Sequence, residues 1–457
     1  MRITHYDLNV KLIYPVPAYS ELQPGQLQVN STMTIERELG DDTVPISLLL
    51  YRLMNVTSVK IGGVSVPFTA AVEAFPDLPN MHVKQIVISP QAIGIAKVIT
   101  MSVTYHGTMS GYREVWQYVW DSVTPSYTLL RPDALWYPVL ATASAASWFK
   151  SFQQSFTTSL TVECPQHCLV AAAGTPSQEV ITDDRRVCHW TCMEPHTRID
   201  LACADFSILE NSGVRIYHLP DTDQWAAKAG EWVQFTLATM SRWLGPRARK
   251  GFALVQIPRG WGSQASAEIV LQELSDSAGA IENPTQYRVV AHELCHFWTP
   301  RSSDHPNRFT DETIATYYET RLVGARFGPD EYKRRLESLR QAYLRTPGAQ
   351  TVSLANAGRS SDIHVLTRCK GPLAMHVLAG HLGIERMDHL IGEFVANYPT
   401  AASLADFVGL LTQRHGTEPW LPSFLAEWMT GLECNAILHS DERFSELFSR
   451  PSHYLSQ

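Results

Sequence analysis

Over the first two hundred residues, apolar side chains recur at every second position. Leu27, Val29, Met33 and Ile35 alternate with polar residues, as do Ile99, Met101 and Val103. The stretch from His82 to Ile88 and the opening MRITHYDLNVKLIY have the same β-branched, half-polar texture. Gly, Pro, Asn and Asp separate these runs, so the pattern predicts strands joined by turns. After a last short strand at Val214–His218 the period changes. Trp225 to Trp243 shows helical spacing that stops before Gly245-Pro246, and strands are expected at Phe252–Ile257 and Ala267–Leu271. From Pro284 onward the spacing is helical, as in Asp330–Tyr343, Gly371–Leu382 and Leu404–His415. The expectation is an α+β multidomain protein, with a β-rich domain over 1–210 and a mostly helical domain over 211–457.

Composition narrows the partners more than the fold. A chain of 457 residues is too long for one ordinary core. With 45% hydrophobic and 18% charged residues it reads as globular throughout. The net charge of -8 offers no basic face, so no nucleic-acid partner is expected. The N-terminus lacks a signal-peptide pattern and no apolar run approaches 18 residues, so the cytoplasm is expected and no membrane partner. The oligomeric state stays open. Of the eight cysteines, Cys164/Cys168 and Cys188/Cys192 have the C-x3-C spacing of some zinc sites. Cys188 and Cys192 fall in a strand rather than on a tight turn, so buried thiols are the expected state.

The candidate chemistry lies in Val289-Val290-Ala291-His292-Glu293-Leu294-Cys295-His296. Asn283 before Pro284 is a helix start, with asparagine as N-cap and proline in the first turn. On that helix His292 and His296 are four apart and share a face, so both imidazoles can reach one Zn2+ ion. Glu293 is then the general base. Cys295 points about 100° away from His296 and reads as a core residue. Downstream, Glu312 is expected to be the third ligand. Glu319, two turns further on the same face, is expected to orient a ligand histidine.

These blocks resemble the M1 family of zinc aminopeptidases, gluzincins that include aminopeptidase N and leukotriene A4 hydrolase. Thr310–Glu319 is similar to the family's N-E-G-x-x-x-Y-x-E block, and Thr367-Arg368-Cys369-Lys370-Gly371 to its Y-x-K-G segment. Phe424-Leu425-Ala426-Glu427-Trp428 resembles a closing helix, and Ala134–Pro138 a stretch of the N-terminal domain. The resemblance implies an all-β saddle-like domain, then a thermolysin-like catalytic domain, without the family's large C-terminal helical domain. It also implies a peptidase acting on a peptide or small amide.

This chain departs from the pattern in several places. Fifteen residues separate His296 from Glu312, fewer than usual. Asp311-Glu312-Thr313 replaces N-E-G. The oxyanion-stabilising tyrosine of the family falls on Arg368, with His364 one turn earlier as a second candidate. The amine-binding motif G-x-M-E-N is matched by letters at Gly279-Ala280-Ile281-Glu282-Asn283, only eight residues before His292. Glu268, in a segment expected to be an edge strand, is therefore the candidate for binding substrate. These departures also leave room for a hydrolase or tailoring enzyme of a specialised amide, ester or small metabolite.

Overall fold

The computed structural model describes all residues except 16–23, 39, 183, 247–250, 267, 274–281 and 449–457. The protein is an α+β chain of two compact units, Met1–Ala226 with Gly251–Asp276, and Ala227–Lys250 with Ser277–Gln457.

The first unit is built on sheets. Arg2–Ile13 pairs antiparallel with Gln26–Glu36 and parallel with Phe156–Pro165, at the centre of an eight-stranded sheet. Burial alternates along these strands, as the period-two pattern requires: Leu27, Val29, Met33 and Ile35 are inside while Gln26, Gln28 and Asn30 face out. A five-stranded sheet has the order Ser207–Asn211, Val214–His218, Phe252–Ile257, Ile269–Glu273 and Gln264–Ala265. Its parallel central pairs are buried on both faces, so Phe252–Ile257 reads as a continuous apolar run.

The division by contacts differs from a boundary at 210. Tyr217, Ala253, Val255, Ile257, Ile269 and Leu271 join the same apolar core as the N-terminal strands, which draws this later sheet into the first unit. The strand expected at 267–271 is also displaced, running Ile269–Glu273 after a bend at Glu268.

Helices dominate the second unit. The chain enters it along α1 (Asp223–Leu244) and continues through α2 (Pro284–Cys295), α3 (Ile314–Phe327), α4 (Pro329–Leu344) and α5 (Gly371–Leu382). Helix α3 is central: every residue from Ile314 to Gly324 is buried. It is therefore not amphipathic, and each polar group it carries inward needs a partner. Arg321 forms an ion pair with Asp388, which also accepts from Tyr318 Oη at 2.8 Å. Glu319 accepts from Arg335, and Thr320 Oγ1 donates to the Thr316 carbonyl at 2.8 Å. The eight cysteines are buried free thiols.

Candidate metal centre

Helix α2 begins as its sequence dictates. The Asn283 side chain accepts from Thr285 N at 2.8 Å, and Pro284 occupies the first turn, where a missing N–H costs nothing. Such a cap contributes about 1 kcal/mol. Tyr287, Val290, Ala291 and Leu294 bury the rest of the helix. Tyr287 Oη lies 3.1 Å from Thr236 Oγ1 of α1, which fixes the rotation of α2. His292 is on the last turn and His296 opens a short 3-10 turn that runs to Trp298. The two imidazoles meet edge to face, with ring centres 5.0 Å apart.

Glu312 comes from a π-helical segment, Phe309–Thr313, that leads into α3. Its backbone N donates to Asp311 Oδ1 at 2.8 Å, and Asp311 is held by Ser302 Oγ at 3.0 Å and Arg308 at 2.9 Å. Glu312 Oε2 thereby stands 3.2 Å from His292 Nε2. One ligand atom each of His292, His296 and Glu312 lies within 4.8 Å of the others, and this is the metal-capable group among the described residues. Two imidazole nitrogens and one carboxylate oxygen in a buried setting suit zinc, with coordination positions left over for water and substrate.

The protonation states agree with that use. Burial pushes the His296 imidazole down to about 3, so the ring is neutral, the form that binds a metal. For Glu312, burial raises the pKa, but the Arg308 and Arg368 guanidiniums outweigh it and hold the carboxyl well below the usual range. Glu293, next to His292 and only 4% exposed, has its pKa raised by burial, which moves a carboxylate toward the range of a working general base.

Around this group the structure gives particulars that letters alone did not. Glu319 does reach His292, with Oε2 3.8 Å from Nδ1, but its hydrogen bonds go to Arg335, Nε to Oε1 at 2.9 Å and Nη2 to Oε2 at 3.0 Å. Thr316 Oγ1 is nearer to His292 Nδ1, at 3.5 Å. Arg368 lies in a second π-helical segment, Leu366–Lys370, and its Nη2 sits 2.8 Å from Glu312 Oε2. His364 is exposed, within electrostatic reach of Arg368 and Glu312. Glu268 is half-buried at the bend before Ile269–Glu273, in the first unit, with its carbonyl accepting from Ala253 N; it is not on a strand as expected. Glu282 pairs with Lys228 and Arg326, while Gly279, Ala280 and Ile281 lie outside the described residues. Arg308, Arg335 and Thr316 were missed. Arg308 was readable in principle, because it stands four residues before Glu312 at a helix entry.

No protein-family model matches the chain, and no curated protein sequence does. Solved structures do. A mutant M1 zinc metallopeptidase of Deinococcus radiodurans bound to a Tyr-Ser-Ala substrate is 16% identical over 94% of both chains, with a TM-score of 0.66. The chain has the M1 metallopeptidase fold. Yeast LTA4 hydrolase in complex with bestatin is 14% identical, with a TM-score of 0.70, and is matched over 94% of this chain and 68% of its own. The unmutated Deinococcus radiodurans enzyme is 16% identical over 94% of this chain and 93% of its own, at a TM-score of 0.64. The M1 fold accounts for the topology of both units. The ion pairs on Glu312 belong to this chain's own side chains.

Proposed function

We propose that this chain is a zinc-dependent peptidase, aminopeptidase-like in its machinery, that hydrolyses a peptide or amide bond. The observation behind the reading is the convergence of His292, His296 and Glu312, with Glu293 adjacent on the same helix. All four lie within 211–457, the stretch taken as the thermolysin-like domain. Zinc held by this set would supply Lewis acidity, polarising a carbonyl and acidifying a water. Glu293 takes the proton of the attacking water and hands it to the departing nitrogen. Burial raises its pKa, which strengthens it as a base for the first transfer. Thr316 and Glu319 hold the His292 ring from its Nδ1 side. Arg368 faces developing oxyanion charge where the family has a tyrosine. With no helix among the described residues long and apolar enough to cross a membrane, and eight thiols free, we place the chain in the cytoplasm.

The test is Glu293→Gln. Zinc content should stay stoichiometric while kcat falls at least about a hundredfold, the scale of a lost general base. A purified protein that neither contains nor takes up zinc refutes the reading.

A second reading is favoured by one observation. The position of the family tyrosine carries a guanidinium already paired with Glu312. That suits a hydrolase or tailoring enzyme for a specialised amide, ester or small metabolite. A panel of aminoacyl fluorogenic substrates separates the two, since no turnover of any of them by the zinc-loaded protein favours the second.

A further inference from the structure

The carboxylate of Glu312 is gripped from both sides. Arg308 Nη1 is 2.6 Å from Oε1, and Arg368 Nη2 is 2.8 Å from Oε2. The Glu312 side chain is 2% exposed, while the Arg308 side chain is 32% and the Arg368 side chain 44% exposed. Both arginine side chains therefore run between the buried ligand group and solvent.

Arg308 and Arg368 are balanced by Glu312 and Asp311, the latter 2.9 Å from Arg308 Nη2. Glu319 is matched by Arg335. Arg288, which acts on Arg368, and Asp304, which acts on Asp311, are opposite in sign. These groups sum to zero before any ion enters. A divalent ion adds two positive charges and Glu293 removes at most one. The loaded site is then positive. Such a site attracts an anion. A planar carboxylate matches the guanidinium fork with two parallel N–H···O bonds, and at Glu312 each guanidinium already meets one carboxylate oxygen.

We propose that Arg308 and Arg368 select substrates carrying a carboxylate beside the bond that is cut. This rests on the zinc-peptidase reading and sharpens its substrate class. The test is isothermal titration calorimetry on the zinc-loaded protein, with N-acetylglycine and N-acetylglycinamide as probes and zinc measured by mass spectrometry. The acid should bind at least tenfold tighter than the amide. In Arg368→Gln and in Arg308→Gln that preference should collapse to less than threefold, with zinc content unchanged. Equal binding of acid and amide to the wild type overturns the proposal. So does an undiminished preference in both variants, because the carboxylate would then be held by the metal alone. Failure to take up zinc removes this proposal together with the peptidase reading, whereas a zinc-loaded protein without the preference removes this one only.

Discussion

Arg335 offers the sharpest test of how the surroundings of His292 are supported. Its guanidinium meets Glu319 with two parallel bonds of 2.9 and 3.0 Å, on a carboxylate only 1% exposed in the middle of α3. Replacing Arg335 by Met leaves that carboxylate buried without its main counter-charge. Breaking one side of a buried pair costs about 3–5 kcal/mol. Arg335 is 14% exposed and Arg288 also acts on Glu319, so the lower end applies, about 3 kcal/mol. Two compact units need not unfold together, so one denaturation midpoint is a poor readout. Native-state hydrogen exchange of the α3 amides reads the affected element directly. A loss of about 3 kcal/mol corresponds to roughly a 150-fold rise in their exchange rate. The double variant Arg335→Met, Glu319→Met removes both charges and should recover most of the loss, since an apolar pair of similar volume is often as stable as the ion pair. Exchange within threefold of wild type in the single variant refutes the argument. So does a double variant no better than the single.

Two further outcomes follow from the same geometry. His296→Ala removes one of the three proposed ligands and should take zinc from stoichiometric to substoichiometric after dialysis against a weak chelator, read by elemental analysis; full retention excludes His296 as a ligand. His376 on α5 is fully buried, with Nδ1 3.0 Å from Tyr332 Oη, and burial holds its pKa well below 6.5. Because the folded value is depressed, the unfolded chain binds the proton more readily. Stability is therefore complete above pH 6.5 and falls as pH drops below it, by at most about 1.4 kcal/mol per unit from this residue. His376→Asn should flatten that acid limb, measured as native-state hydrogen exchange of the α5 amides against pH between 5 and 7 and corrected for the intrinsic pH dependence of exchange, and an unchanged slope contradicts the assignment.

Much of the architecture was legible because it depends on periodicity. Leu404–His415 has the limits expected, with Ser403 and Asp406 completing a capping box, and Gly371–Leu382 begins and ends where its apolar spacing does. The Asn283–Pro284 start of α2 was readable because capping is local chemistry. What failed was non-local. Nothing along the chain tells that Val255 and Leu271 share a core with Leu27, so the later sheet could not be assigned to the first unit. The bend at Glu268 delays the strand until the β-branched pair Ile269-Val270. Arg335 lies sixteen positions beyond Glu319 on the next helix, at a distance no spacing rule covers.

The placement of Arg368 against Glu312 shows why a site can be half-visible in a sequence. Both residues stand in π-helical segments, Phe309–Thr313 and Leu366–Lys370, whose wider turns shift side chains off the 3.6-residue register on which sequence reading depends. The two segments are pinned together where Thr313 Oγ1 donates to the Thr367 carbonyl at 2.6 Å. Gly371 permits that approach, because a Cβ there would stand 2.3 Å from Thr313 Oγ1. Glycine at 371 is thus demanded by the close approach of the Thr313 side chain rather than by its dihedral angles, with φ at -56°. One hydrogen bond and one missing methyl bring the segment of Glu312 against the segment of Arg368. The shortened spacer between His296 and Glu312 therefore need not loosen the site, since Glu312 takes its position from this pinned pair of turns and from Asp311, not from the length of the loop before it.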